Sequence, residues 1–76
     1  MTERDFKAFR KRLGQRIKKL RLEEGLTQEQ MEDLDWLSAR SFQDIESGKV
    51  NPRLSSLMVI GSKLKIDLGV LLSPDK

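Results

Sequence analysis

The stretch from Leu26 to Gly48, LTQEQMEDLDWLSARSFQDIESG, constrains this chain more than any other, because it carries two helix starts only eleven residues apart. Each start places a capping hydroxyl after one apolar residue and ahead of a second at the fourth helical position: Leu26-Thr27 with Met31, then Leu37-Ser38 with Phe42. Thr27 can accept from the first-turn amides while Gln30 reaches back to the cap, and Leu26 against Met31 forms a hydrophobic staple. The second start has the staple but offers no acidic or amide partner at Ser41. Such spacing leaves room for about two turns of helix and a short connection. Two short helices meeting at a steep angle across a tight turn are expected; one long straight helix is not.

On either side the apolar residues keep a helical period. Phe6, Phe9, Leu13, Ile17 and Leu20 fall on one stripe with Arg and Lys opposite, which predicts a first helix ending before Gly25. The second helix should run from about Gln28 to Leu34, and the third from about Ala39 to Ser47 with Gly48 as its stop. Asn51-Pro52 breaks the chain. Leu54, Leu57, Ile60 and Leu64 then predict a fourth helix, in which Gly61 costs stability unless it allows close packing. Asp67 can cap a short fifth helix carrying Leu68, Leu71 and Leu72, stopped by Ser73-Pro74. With no strand alternation, repeat or low-complexity tract, the expected fold class is all-α. It is a compact five-helix domain over residues 1–76, with its core at about 13–72, a basic extension of helix 1 over 1–12 and a tail over 73–76.

Seventy-six residues make one small domain, too short to build a substrate-sized cleft beside a core, so binding is the expected activity. The absence of Cys and His removes disulfides, thiolate zinc sites, imidazole bases and Cys or Ser–His nucleophile pairs. The scattered Asp and Glu, including Glu32-Asp33 and Asp35, have no metal-ligand spacing. No enzyme, cofactor, metal or small-molecule ligand is implied. A reducing, cytoplasmic setting suits a cysteine-free chain. The longest apolar stretch runs only from Leu57 to Ile60, so neither a signal peptide nor a membrane span is expected. The net charge of +3 conceals a partition: residues 1–21 hold nine basic and two acidic side chains, 22–48 one and eight, and 49–76 five and two. Basic segments on both sides of the capped helices can straddle a phosphate backbone. The acidic middle argues for a different partner, and a charge run can also be no more than a solvated helix face.

On a helical wheel of the third helix, Phe42 and Ile45 define the inward face, so Arg40, Gln43, Asp44 and Ser47 point outward. These residue types suit base edges in double-stranded DNA: a first-turn Arg can be bidentate to guanine, Gln pairs adenine and Asp accepts from cytosine. Alternatively Arg40 and Asp44, four apart, pair with each other. Glu46 falls beside the buried stripe, where an unpaired carboxylate is costly, and Arg21 on helix 1 is its expected partner; otherwise the two are independent surface charges. Gln28, with the amides and dipole of a helix start, suits a phosphate oxygen. Ser38 is a further candidate phosphate contact. Lys49, Asn51 and Arg53 can hold the next phosphates or form an ordinary polar loop. Trp36 is expected as a partly buried plug over Leu34 and helix 3 rather than a base-stacking platform. Ile66, Leu68, Val70, Leu71 and Leu72 offer more apolar area than a short terminal helix needs; they form either a dimer interface or the lid of the monomer core.

Taken as a set, Leu13-Gly14, Ile17, Leu20-Arg21, Gly25-Leu26-Thr27-Gln28-Glu29, Leu37-Ser38, Ile45-Glu46, Gly48-Lys49, Asn51-Pro52, Leu57, Ile60 and Leu64 form a pattern that resembles the Cro/Xre-type helix-turn-helix family of phage and bacterial repressors. The resemblance covers Leu13 to about Leu72. It implies a five-helix domain with its third helix in the major groove, bound as a homodimer to a near-palindromic site. Carried over position by position, it makes Gln28 a phosphate contact, Ala39, Arg40, Gln43 and Asp44 the base-reading positions, and Arg21 with Glu46 the ion pair joining helices 1 and 3. Two positions depart from the pattern. Glu32 stands where the family usually has a small Ala, and Trp36 where the turn usually has a Gly, so the turn is either wider or Trp36 takes a left-handed backbone. Ala39 stands where a polar reader is common, which leaves more of the readout to Arg40 and Gln43. The expected function is sequence-specific DNA-binding transcriptional regulation. Its competitor is a protein-interaction module or antitoxin of the same fold, acting through the acidic surface from Glu23 to Asp44.

Overall fold

A reciprocal cap at the amino terminus starts the longest element. In the computed structural model, which describes residues 1–73, helix α1 spans Glu3–Glu23. Asp5 N–H donates to Thr2 Oγ1 at 3.0 Å, and Thr2 N–H donates back to Asp5 Oδ2 at 3.1 Å. The basic segment before Leu13 is therefore ordered helix. The Thr2 backbone N–H, and after it the Thr2 hydroxyl, hold the Asp5 carboxyl below its ordinary value. A group with a lowered folded-state pKa contributes stability that is present above its unfolded pKa and lost as pH falls through the folded one. Acid titration should accordingly fray this first turn: NMR-detected protection of the Asp5 and Phe6 amides, corrected for the intrinsic exchange rate, should fall below the ordinary carboxylate range and be flat near neutrality. Gly25, at φ +72°, closes α1, with Leu26 N–H donating to Arg21 O at 3.0 Å and Gly25 N–H to Leu22 O at 3.1 Å.

The capping box at Thr27 is present: Gln30 N–H donates to Thr27 Oγ1 at 3.1 Å and Thr27 N–H to Gln30 Oε1 at 2.8 Å. The helix it should open is not. In place of a helix from Gln28 to Leu34 the chain makes one 3-10 turn, Glu29–Met31, so the five expected helices become four α-helices and this turn among the described residues. Asp33 supplies the cause. Its Oδ1 accepts from Asp35 N–H at 2.9 Å and Trp36 N–H at 3.0 Å, a local turn that competes with helical bonding. Its backbone meanwhile pairs with that of Leu37, at 2.7 and 3.0 Å. The interhelix turn is thus the wider one. Among the described residues the non-glycine position with positive φ is Lys65, at 58°, so Trp36 keeps an ordinary backbone. Trp36 is also not the expected plug over Leu34: it is 61% exposed, Leu34 is fully exposed, and Trp36 lines a shallow concavity with Met58 and Val59 of the helix after next. Ser56 Oγ donates to the Trp36 carbonyl at 3.3 Å and fixes the loop to the next helix but one.

Helix α2 spans Ala39–Glu46, α3 Leu54–Lys63 and α4 Leu68–Leu71, each close to its expected place. α1 packs on α2, and α4 folds back on α3 and α1. Leu13 and Ile17 of α1 meet Met31, Leu37, Phe42, Ile45, Leu57, Ile60, Leu64 and Leu71 in the core, and both staple residues Met31 and Phe42 are fully buried. A Cβ at Gly61 would lie 3.0 Å from Ile66 O, the close approach that justifies glycine inside α3. Asp67 stands at the N-cap of α4 without a side-chain hydrogen bond to it. Leu71 is fully buried; Ile66, Leu68 and Leu72 pack half-buried against the core, and Val70 is 47% exposed. The stop expected at Pro74 lies outside the described residues. No helix among them is long and apolar enough to cross a membrane.

Candidate nucleic-acid interface

The orientation of α2 is set by its start and by its inner face. Ser41 N–H donates to Ser38 Oγ at 3.0 Å and the Ser38 hydroxyl donates to Ser41 Oγ at 3.0 Å, so Ser38, read as a phosphate contact, is committed to its own helix. Glu32 adds a second cap, its Oε2 accepting from Ala39 N–H at 3.3 Å. A carboxylate suits the positive end of a helix, and only the widened turn brings it there. On the inner face Gly14 lets the helices touch: a Cβ at that position would collide with Glu46 O and lie 2.9 Å from Ile45 O.

The expected ion pair is formed and buried. Arg21 Nε donates to Glu46 Oε2 at 2.8 Å and Nη2 to Oε1 at 3.4 Å, while Nη1 donates to Leu26 O at 2.8 Å. Gln28 joins it, donating from Nε2 to Glu46 Oε1 at 2.7 Å. The wheel gave no signal for that bond, because it crosses from the turn to α2. Gln28 also differs from expectation in its setting, since a three-residue 3-10 turn supplies little dipole for an anion. Its usefulness to a phosphate rests on the side chain, whose second amide N–H remains after Glu46 is served.

Arg40, Gln43, Asp44 and Ser47 share one shallow groove on the outer face of α2 with Gln28 and Lys49. The Arg40 side chain is 83% exposed, and its Nε lies 3.6 Å from Asp44 Oδ1. An exposed i,i+4 pair contributes only about 0.3–0.5 kcal/mol, so turning Arg40 toward another acceptor costs little. Ala39 is half-buried at the helix start. Asn51 and Arg53 line an adjoining concavity with Trp36, Ser41, Pro52 and Ser56, which meets the groove at Asp44. The groove therefore gathers five of the candidate contacts with Ser47, the fourth outward residue of the wheel, whose hydroxyl donates to Asp44 O at 3.1 Å, and leaves Asn51 and Arg53 in the adjoining concavity. Among the described residues no group of acidic side chains is placed to hold a metal ion.

A family model described as helix-turn-helix matches residues 17–71. The chain is 36% identical over 63 residues to the immunity repressor protein of Bacillus phage phi105, across 83% of this chain and 44% of that one. It is also similar to the crystal structure of ComR from Streptococcus suis, with a TM-score of 0.75 and 36% identity over 87% of this chain and 21% of that one. The chain spans less than half the length of either relative.

Proposed function

Because the chain belongs to the Cro/Xre-type helix-turn-helix family, a non-enzymatic family of DNA-binding regulators, we propose that it is a transcriptional regulator that reads double-stranded DNA sequence-specifically through α2. The groove that gathers Gln28, Arg40, Gln43, Asp44, Ser47 and Lys49 on one exposed face carries this reading. α2 enters the major groove with its first turns toward the bases. Arg40 reaches guanine O6 and N7, Gln43 is placed for adenine, and Asp44 accepts from cytosine N4. Gln28 and Lys49 hold phosphates at the two sides of the helix and set its depth. Two copies act together on a near-palindromic operator, joined along the edge formed by Val70 with Ile66, Leu68 and Leu72.

Selection of bound duplexes from a random pool, with wild type and Arg40→Ala side by side, tests the proposal. The wild type should enrich a two-fold symmetric motif with half-sites about one helical turn apart. Arg40→Ala should cost about 1–3 kcal/mol and relax one position of each half-site. Equal loss on every sequence would mean that Arg40 touches phosphate alone. The exposed Leu34 and Trp36 in an acidic loop favour one second reading, a protein-binding module. A folded protein that enriches no duplex would move the assignment there.

A further inference from the structure

Residues 3–16, two-thirds of α1, precede the helix-turn-helix match that begins at residue 17. They carry Arg4, Lys7 and Lys11, spaced three and four apart and so aligned along one stripe of the helix. All three are exposed, and none forms an ion pair with a described residue. Like charges at this spacing repel one another. α1 offsets them only in part: Glu3, four residues before Lys7, forms no ion pair with it, and Asp5 is committed to Thr2.

The stripe is held beside the end of α2. Gly48, at φ +77°, passes so near that a Cβ on it would lie 2.9 Å from Lys11 Cα and 3.4 Å from Arg10 O. Arg10 Nε donates to Gly48 O at 3.4 Å, and its guanidinium carbon sits 5.1 Å from the centroid of the Phe6 ring. The bond to Gly48 O ties this side of α1 to the end of α2, and the Phe6 ring, one turn away on α1 itself, supports the guanidinium. Lys49, which lines the α2 groove, is the next residue in the chain. From that corner the stripe continues for about 10 Å along α1. A duplex presents a phosphate about every 3.4 Å of axis on each strand.

We propose that the amino-terminal half of α1 is a second DNA-contacting element, in which Arg4, Lys7 and Lys11 hold backbone phosphates beside the groove read by α2. The inference rests on the DNA-binding reading above and extends the contact surface beyond the helix-turn-helix. The strip adds affinity without sequence information, and Arg10 acts as its positioning residue.

The test compares the full chain with Lys7→Gln/Lys11→Gln on a duplex of the selected sequence, with Kd measured from 50 to 200 mM salt. Each phosphate contact contributes about 0.9 to the slope of log affinity against log salt, so the double variant should flatten that slope by about two. Its base preference and thermal unfolding should match the wild type, and Lys7→Arg/Lys11→Arg should restore the slope. An unchanged slope overturns the strip while leaving the reading by α2 intact. A wild type that binds no duplex overturns both.

Discussion

Glu46→Ala should lower the unfolding free energy by about 3–5 kcal/mol, a large share of what a small domain possesses. The truncation strands a buried guanidinium. Arg21 would keep its bond to Leu26 O but lose both contacts to the carboxylate, and Gln28 would lose its acceptor as well. Desolvating a cation without its counter-charge is what makes the single change severe. The pair itself need not add much net stability, because bringing both charges out of water offsets most of their attraction. Replacing both residues, as Arg21→Met/Glu46→Leu, should therefore recover most of the loss. Urea unfolding of the wild type and the two variants measures each quantity. A cost below about 1 kcal/mol for Glu46→Ala would mean that Arg21 escapes to water, and that the pair does not anchor α2.

Much of this arrangement is local enough to be read from sequence. The stripe of Phe9, Leu13, Ile17 and Leu20, the cap hydroxyls of Thr27 and Ser38, and the stop at Gly48 act within one or two turns and stand where their patterns place them, while Phe6 falls outside the core. Arg21 with Glu46 was legible too, since each flanks a buried stripe and two such charges on packed helices have few other partners. Helix 2 failed for a reason that lies in one side chain. Asp33 in a helical window looks like any other polar position, yet its carboxylate captures the amides of Asp35 and Trp36 and ends the element after one turn. Everything that depends on that turn was then out of reach: the exposure of Leu34 and Trp36, and the Glu32 cap on Ala39. The Gln28 bond to Glu46 spans eighteen residues and two elements, and Asn51 and Arg53 line the concavity beyond Asp44 because of where the loop after α2 travels. Neither fact has a periodic signature.

Gly14→Ala should destabilise the domain by about 3 kcal/mol, although alanine inside a helix is ordinarily favourable over glycine by about 1 kcal/mol. Propensity and packing oppose each other here, and the packing term is larger. The new methyl would collide with Glu46 O and lie 2.9 Å from Ile45 O. Both are backbone atoms of α2, so no rotamer change can make room; the two helices must separate. For a domain of this size each kcal/mol moves Tm by about 4–8 °C, which puts the expected fall at about 12–24 °C by calorimetry. The displacement also pulls Glu46 away from Arg21, so operator affinity should fall by more than the unfolded fraction explains. Gly69→Ala provides the contrast, since a Cβ there meets nothing within 4 Å and the propensity gain is unopposed. Should Gly14→Ala instead leave Tm and binding unchanged, α1 would not set the position of α2. The outward aim of Arg40 and Gln43 would then have to come from the Ser38 and Glu32 caps at the other end of the helix.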